Sequence, residues 1–293
     1  MAEVKEIRDH IKSVQETLKI TNAMYLLSSA NLRKAKKQLG DVEPYFRKII
    51  STISDILHHS PETPHKYFDK RTESVPHKVG YIIVTGDKGL AGAYNHNVLK
   101  RAEEELKKTP LATLYLIGQM GASYFQQKKI PVNREFAYTA QNPTMHRARE
   151  ISDFFMDLFE RRELDELYII YTRVVSPLVM EPRMAKLLPL DKDAFRYRPR
   201  PREEAYRQTI TYVPSEEQVL SVLVPGFVIG MIFGALVESF CSEQSCRMTA
   251  MEASSQNARE MLKNLNLTYS RARQSSITQE ITEIVAGTMG GRA

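Results

Sequence analysis

The first sixty residues carry apolar side chains at alternating steps of three and four, and this pattern constrains the fold more than any other feature. A spacing that averages about 3.5 residues is typical of a coiled-coil seam, which is narrower than the apolar stripe of an ordinary globular helix. Such a seam needs a facing helix. The seam positions are Val4, Ile7, Ile11, Val14, Leu18, Thr21, Tyr25, Ser28, Leu32, Ala35, Leu39, Val42, Phe46, Ile49, Ile53 and Ile56.

A comparable helix occurs only at the other end of the chain, after Pro214. Ser215 and Gln218 have the spacing of a capping box, and Gly287, Gly290 and Gly291 mark the end of the helix. The pattern between them covers about 70 residues, or roughly 110 Å at 1.5 Å per residue. Its seam comprises Val237, Cys241, Met248, Met251, Ala258, Leu262, Leu265, Tyr269 and Ala272, followed by a shift to Ile277, Ile281 and Ile284.

The two seams predict a long antiparallel coiled coil formed by both ends of the chain, with a change in local winding where the second seam shifts. Small or polar residues interrupt both stripes at Thr21, Ser28, Gln244 and Ser255. They lower the hydrophobic stability of the seam but permit close approach of the two backbones.

The middle of the chain alternates between apolar strands and shorter helices. Strands are predicted at 81–84, 113–117 and 167–171, and helices at 96–107, 119–128 and 146–161. This order predicts a Rossmann-like α/β domain with a mainly parallel sheet. The predicted organisation is a helix at 1–58, an α/β domain at 75–190, an extended linker at 191–213, and a helix at 214–288 that pairs with 1–58.

A glycine-containing loop, Thr85–Asn95, follows the first predicted strand, where a dinucleotide-binding enzyme places its phosphate loop. Its spacing matches neither G-x-G-x-x-G nor the P-loop pattern. The favoured interpretation is tight turns and close contact between helix and strand, and a nucleotide site is the alternative. The sequence nominates no catalytic residue, metal site or cofactor, since it contains no H-E-x-x-H, G-x-S-x-G or metal-spaced cysteine pattern.

Composition limits the partners and the compartment. The chain has 293 residues and a formal net charge of +6, with basic clusters at 33–37 and 196–202 that suggest an acidic partner. Nucleic acid is not expected, because no aromatic strand signature of an RNA-binding fold is present. Cys241 and Cys246 are expected to be reduced packing residues. We expect a cytosolic location because no secretory segment precedes the first helix.

One segment leaves a membrane interpretation open. Residues 219–237 contain no charged side chain and are long enough to span a bilayer. Pro225, Gly226, Gly230 and Gly234 favour instead a buried helix that lies close to a neighbouring element.

Sequence motifs in three regions make the chain resemble the gamma subunit of F-type ATP synthases of the bacterial type, over essentially its whole length. The first helix contributes Ile7-Arg8, Thr17, Lys19-Ile20-Thr21 and Ala23-Met24, and the central loop contributes Asp87-Lys88-Gly89-Leu90-Ala91-Gly92 and Asn95. The last helix contributes Ser242-Glu243, Arg247-Met248, Ala250-Met251, Asn257-Ala258, Tyr269, Arg271-Ala272-Arg273-Gln274, Ile277-Thr278-Gln279-Glu280-Ile281 and Glu283-Ile284-Val285.

The resemblance implies a noncatalytic central-stalk rotor subunit, peripheral on the cytoplasmic side of the bacterial membrane. Its expected partners are the alpha and beta subunits, the epsilon subunit and the membrane c-ring, and its expected role is to couple proton-driven rotation to ATP synthesis. Tyr212 is the implied contact with the rotor ring, since Val213 stands where relatives place Glu. The implied contacts with the catalytic ring are Met24, Arg33, Lys34, Lys36, Lys37, Arg273, Gln274 and Thr278.

Two other functions compete with the rotor. A coiled-coil scaffold or membrane-associated protein would assemble with partners without altering ATP turnover. A nucleotide-dependent enzyme would use the loop from Gly86 to Gly92 and would bind nucleotide as an isolated chain.

Overall fold

The computed structural model describes residues 2–60, 63–71, 77–176, 179–195 and 212–290, with side chains described from residue 4 to residue 282. Two long helices, α1 (Ala2–His59) and α5 (Glu216–Gly290), contain the two predicted seams. The chain divides into two compact units. The helical unit contains residues up to Ser29 and from Arg247 onward, and the sheet unit contains residues 30–246.

In the helical unit, α1 and α5 pair in antiparallel orientation. Thr21 contacts Ser255 across the seam, whereas Val4, near the start of α1, lines a cleft with Tyr269, which lies further along α5. The seam positions nearest the centre of the pair are buried on both helices. They are Val14, Thr21 and Ser28 on α1, and Met251, Ser255 and Ala258 on α5.

The same two helices also pack together inside the sheet unit. Gly226 faces Ile49, and Gly230 lies against the ring of Phe46, where a Cβ atom would be only 2.3 Å from the nearest ring carbon. Residue numbers again run in opposite directions along the two helices. The predicted antiparallel coiled coil is therefore confirmed by contacts within each unit.

The described part of the sheet unit forms a five-stranded sheet in the order β3-β2-β1-β4-β5. The strands are β1 (Val79–Val84), β2 (Thr113–Ile117), β3 (Ala137–Tyr138), β4 (Glu166–Ser176) and β5 (Val179–Leu188). The helices between them are α2 (Tyr94–Lys108), α3 (Gln119–Gln127) and α4 (Met145–Glu160), and two short 3₁₀ helices lie at Lys66–Phe68 and Lys192–Phe195. The first four strands run parallel, which confirms the predicted Rossmann-like sheet.

Alternate residues of each strand point to opposite faces of the sheet, and helices cover both faces. On one face, Ile82 and Ile169 pack in a core with α1, α4 and α5. On the other face, Tyr81 and Ile83 pack with α2 and with Phe125 of α3. Burial on both faces explains why β1 consists almost entirely of apolar residues.

The structure differs from the sequence-based prediction at the last strand. β5 was not predicted, and it runs antiparallel to β4 at the edge of the sheet. Glu181, Pro182 and Arg183 lie in the middle of β5 and obscure its strand signal. Proline is tolerated there because an edge strand has one side free of sheet hydrogen bonds.

The predicted shift of the C-terminal seam is also not realised as burial. Ile277 is 44% exposed and lines a cleft with Val4 of α1, and Ile281 is 57% exposed, so neither side chain is buried. The side chain of Ile284 lies outside the described residues, as do residues 196–211, which include the second basic cluster and most of the predicted linker. The predicted start of α5 is supported, since the Ser215 hydroxyl accepts a hydrogen bond from the Gln218 backbone N–H at 3.3 Å.

Candidate functional site

The carboxyl edge of the parallel sheet is where open α/β folds bind their ligands, at the point where the strand order reverses. Here the reversal lies between β1 and β4, since β2 and β3 lie on one side of β1 and β4 lies on the other. The glycine-containing loop that follows β1 belongs to this edge. The polar groups that surround this loop therefore determine whether the edge can bind a ligand.

The N-terminus of α3, which follows β2, is closed by the chain itself. The Asp87 carboxylate accepts hydrogen bonds from the backbone N–H groups of Gln119 at 3.3 Å, Ala140 at 3.0 Å and Gln141 at 3.1 Å. The next two amides of α3 are also bound, Met120 by the Gly86 carbonyl and Gly121 by the Thr85 hydroxyl. The amides that would bind a phosphate at this helix already have acceptors within the protein.

Close packing explains two glycines near the same edge. Gly118 has φ of +95°, and a Cβ atom there would lie 2.3 Å from the Thr85 carbonyl oxygen. A Cβ atom at Gly86 would lie 3.1 Å from the carboxyl group of Glu243, and the Gly86 N–H donates to the Asn95 side chain at 2.8 Å. These contacts fit the predicted use of glycine for close approach between elements.

Helix α5 occupies the crevice at the reversal point. The Ser239 hydroxyl lies 2.8 Å from the Tyr94 hydroxyl at the start of α2, and it accepts a 3.5 Å hydrogen bond from the Thr172 backbone N–H in β4. The Ser242 hydroxyl donates to the carbonyl oxygen of Thr172 at 3.2 Å. The place that a nucleotide takes in an enzyme of this fold thus holds a helix of the same chain.

These crevice contacts were missed by the sequence analysis. Ser239 and Ser242 interrupt a largely apolar stretch, and serine in a helix is usually solvated or bonded to its own backbone. Their spacing of three residues was the available signal, because it places both hydroxyls on one face of α5.

Four predicted ring contacts lie in the helical unit. Arg273, Gln274 and Thr278 are exposed on α5, whereas Met24 on α1 is half-buried. The Thr278 hydroxyl donates to the carbonyl oxygen of Gln274 at 2.9 Å, and Arg273 lines a cleft of about 270 Å³ with residues of both helices. Met24 is one turn from Thr21, which pairs with Ser255, so it lies roughly 30 Å along the coiled coil from Arg273 at 1.5 Å per residue.

The other predicted contacts belong to the sheet unit. Arg33, Lys34, Lys36 and Lys37 are all exposed on α1. Tyr212 is partly buried beside the core, and burial, with smaller contributions from Asp55 and Glu216, raises the pKa of its hydroxyl. The structure therefore presents these side chains on two different units, and their roles as contacts stay predictions.

Glu238 of α5 lies near Arg173 and Arg183, and Cys241, three residues further along α5, lies near Lys36. Burial raises the pKa of the Glu238 carboxyl, an effect that Arg173 and Arg183 oppose. Burial also raises the pKa of the Cys241 thiol to about 11, so the thiol stays protonated and unreactive near neutral pH. Neither Cys241 nor Cys246 forms a disulfide.

The uncharged part of α5 passes a length-and-hydropathy test for a membrane span, with a mean hydropathy of 2.4 in its most apolar window. A buried core helix passes the same test. Leu220, Val224, Val228 and Ile232 are buried in the core of the sheet unit, while Val222 remains 76% exposed. One face of this stretch therefore serves as core.

Taken together, the fold and this edge define an α/β protein with paired terminal helices whose ligand crevice is filled by its own C-terminal helix. Comparison with known proteins gives the family. The family model described as "ATP synthase" matches residues 3–289. An ATP synthase gamma chain of Acetivibrio thermocellus is 48% identical over 290 residues, which cover 98% of each chain.

A gamma chain of Acetobacterium woodii described as sodium ion specific is 38% identical, again over 98% of each chain. Among solved structures, the rotor of the Euglena gracilis mitochondrial ATP synthase has a chain that aligns with a TM-score of 0.61 at 14% identity, over 94% of this chain and 99% of that one. At that identity the likeness concerns the fold alone.

The chain belongs to the ATP synthase family, among its gamma chains. This membership confirms the family identified from the sequence motifs and the predicted central-stalk role. It also confirms that the chain is a noncatalytic subunit of the synthase complex and does not favour the scaffold and enzyme alternatives.

Proposed function

We propose that this chain turns inside a ring of alpha and beta subunits of a bacterial synthase and couples ion-driven rotation to ATP synthesis and, in reverse, to hydrolysis. The observation that carries the proposal is the antiparallel pairing of α1 and α5, which leaves an outward surface with apolar side chains exposed. Ile20, Leu26 and Leu27 of α1 are all more than half exposed in the helical unit. Such side chains suit an apolar sleeve better than water.

The paired helices would act as a shaft because two interlocked helices resist bending and twisting more than one. Residues 1–58 and 214–288 would form this shaft, 75–190 the α/β domain, and 191–213 the linker. A shaft with different residues on each side contacts three equivalent catalytic subunits differently. Each orientation would then stabilise a different set of nucleotide-site conformations, which is the differential contact that coupling requires.

The predicted contact residues would bind different partners according to their side-chain chemistry. Arg273, Gln274 and Thr278 would meet loops of the catalytic subunits near the end of α5, and Met24 would meet them from α1. Arg33, Lys34, Lys36 and Lys37 would meet acidic loops, since their charges face solvent. Tyr212 would contact the membrane c-ring.

The location and the remaining partners follow from the same role. The chain would be peripheral on the cytoplasmic side of the cell membrane, bound to the epsilon subunit and the c-ring as well as to alpha and beta. Protons are the proposed coupling ion, and the sodium-specific relative makes sodium the alternative to be tested. Synthesis driven by a proton gradient in sodium-free proteoliposomes would decide between the two ions.

Substitution of Gln274 and Thr278 by Ala tests the role of the shaft. The double variant should assemble and yet show reduced ATP synthesis and reduced ion pumping per ATP, because two polar contacts with the ring are lost. Lys107→Ala, an exposed change at the end of α2, is the matched control and should behave like the unaltered chain. Equal effects of the two changes would reject the proposed contacts.

Assembly tests the function itself. The chain should copurify with alpha, beta and epsilon subunits and should restore ATPase activity to a reconstituted ring. Failure of the chain to enter the complex would contradict the rotor function, and a chain that enters without changing ATP turnover would instead be a scaffold.

A further inference from the structure

We propose that the polar contacts between α5 and the carboxyl edge of the sheet form a joint that transmits torque between the five-stranded sheet and helix α5. Ser239, Ser242 and Tyr94 are its positioning residues. This inference depends on the proposed rotor function, and it assigns to one small cluster the task of stopping α5 from sliding or turning against the sheet.

The joint is built around a single peptide segment of β4. Ser239 accepts from the N–H of Thr172, and Ser242 donates to the carbonyl oxygen of the same residue at 3.2 Å. The two serines lie three residues apart on one face of α5 and are almost completely buried. One strand residue is thus bound through both of its backbone polar groups by one helix.

A second element fixes the same helix face. The Tyr94 hydroxyl lies 2.8 Å from the Ser239 hydroxyl, and Tyr94 is the first residue of α2. Ser239 is therefore bound to α2 and β4 together. Glu243, on the next turn, lies against Gly86 after β1, so that α5 is confined at three places on the edge.

Hydrogen bonds fix the register of α5 in a way that its apolar contacts cannot. Apolar packing is non-directional and resists sliding only through the shapes of the side chains that interlock. A slip by one residue moves the helix about 1.5 Å along its axis and turns its side chains by about 100°. Such a slip would separate both serine hydroxyls from Thr172 and leave buried polar groups without partners, which is strongly unfavourable.

The proposed function of the joint follows from its place between the sheet and α5 in the rotor. Torque that enters through the sheet from the membrane ring must pass to the long helices, α5 among them, before it reaches the catalytic ring. A joint that yields under load would let ions flow without full rotation of α5. Weakening it should therefore reduce coupling, while the ATP-hydrolysing chemistry in the ring should continue.

The test compares three variants in the complete synthase reconstituted into ion-tight vesicles. Ser239→Ala combined with Ser242→Ala removes the contacts with Thr172, and Tyr94→Phe removes a single hydroxyl with little change in shape. Tyr168→Phe is the matched control, because the Tyr168 hydroxyl bonds to Glu166 within the sheet unit and its ring packs on the face opposite α5. For each variant, we would measure the amount of assembled complex, the ATPase rate, and the ions pumped per ATP hydrolysed.

The Ser239→Ala and Ser242→Ala double variant should lower the number of ions pumped per ATP by about twofold or more. Each lost hydrogen bond shifts the equilibrium between the native and the slipped position of α5 by a factor of roughly two to ten. The loss should grow as the opposing ion gradient is raised. Tyr94→Phe should cause a smaller loss of the same kind, and Tyr168→Phe should leave the ratio unchanged. Combining Tyr94→Phe with Ser239→Ala should cost less than the sum of the two changes, because both remove the same contact.

Two results would contradict the proposal that these contacts form a torque-transmitting joint. One is an unchanged pumping ratio in all variants alongside reduced assembly, which would make these contacts structural only. The other is an equal loss in the Tyr168→Phe control. If the serine pair does not assemble, the milder Tyr94→Phe variant decides. A failure of the rotor function itself would look different, since the unaltered chain would then not support pumping at all.

Discussion

Gly230 shows how a single residue permits the contact between the two long helices in the sheet unit. Glycine in a helix interior costs up to about 1 kcal/mol relative to alanine, so alanine should stabilise an unconstrained helix. At Gly230, however, a Cβ atom would lie 2.3 Å from a ring carbon of Phe46. Overpacking of this kind costs about 1–3 kcal/mol and outweighs the gain in helix propensity.

We therefore expect Gly230→Ala to lower the free energy of unfolding of the full chain, measured by urea denaturation. Gly234→Ala is the matched control, one turn further along α5, where a Cβ atom would meet nothing within 4 Å among the described residues beyond its own turn of helix. It should leave stability unchanged or raise it by up to about 1 kcal/mol. Stabilisation by both changes would show that Phe46 moves aside without cost.

The buried pair of Thr21 and Ser255 gives a second prediction at the same scale. The Thr21 and Ser255 hydroxyls lie 2.7 Å apart and either can donate, and the Thr21 hydroxyl also lies 3.1 Å from the carbonyl oxygen of Leu18. Thr21→Val removes the side-chain partner of the buried Ser255 hydroxyl, at a cost of about 1–3 kcal/mol. Ser255→Ala leaves Thr21 with its bond to Leu18 and should cost less.

The double variant, Thr21→Val with Ser255→Ala, should recover most of the stability that Thr21→Val loses, because no unpaired polar group remains. Thermal denaturation of the full chain followed by circular dichroism measures all three variants. A double variant less stable than either single variant would contradict this account.

These two cases also mark what the sequence predicts about individual residues. The three-four spacing identified the α1 seam, and positions such as Val14, Ala35 and Ile53 are buried as it required. Spacing does not reveal which polar residue meets which partner. Thr21 was identified only as an interruption of the seam, and the contact of Ser239 with Thr172 joins residues 67 positions apart.

At the scale of elements, regular patterns predicted structure well wherever one face of an element is buried throughout. α1, α5 and the inner strands have continuous apolar patterns and were found near their expected positions. β5 was missed because an edge strand needs only weak alternation. Ile277 and Ile281 illustrate the reverse case, since their apolar spacing is accompanied by large exposed fractions.

Hydrogen bonds whose strength depends on pH hold the 3₁₀ helix at Lys66–Phe68 to helix α4. Lys66 donates to the Glu160 carboxylate at 2.8 Å, and Tyr67 donates to the same group. The hydrogen bonds from Lys66 and then Tyr67 lower the pKa of Glu160 from its usual 4.5. The ionised form is thus favoured in the folded state, so its contribution to stability is present above pH 4.5 and is lost as the pH falls through the lowered pKa.

Glu160→Gln should therefore reduce the loss of stability on acidification below about pH 4.5, measured as the midpoint of urea unfolding across a pH series. Lys66→Met should act in the same direction by removing the main cause of the lowered pKa. The effect should be modest, because the Glu160 side chain is 42% exposed and solvent screens the pair. Acid profiles parallel to that of the unaltered chain would exclude this contact as a source of pH dependence.

At the scale of the whole molecule, the two units differ in how much of their surface is protected within the chain. The sheet unit has helices on both faces of its sheet, whereas in the helical unit the residues away from the α1–α5 seam face solvent. A two-helix pair protects its backbone less well than a layered core, since local opening disrupts few apolar contacts. The helical unit should thus be the less protected part of the free chain.

Hydrogen exchange of the full chain, alone and in the assembled synthase, tests this expectation. In the free chain, amides in 4–29 and 247–282 should exchange faster than those of β1 and β4. On assembly, protection should rise mainly in the helical unit, because the proposed ring covers side chains such as Leu26, Leu27 and Leu267, each more than half exposed. Equal protection of the two units in the free chain would contradict the expected weakness of the helical unit. No rise in its protection on assembly would show that the ring does not enclose these helices.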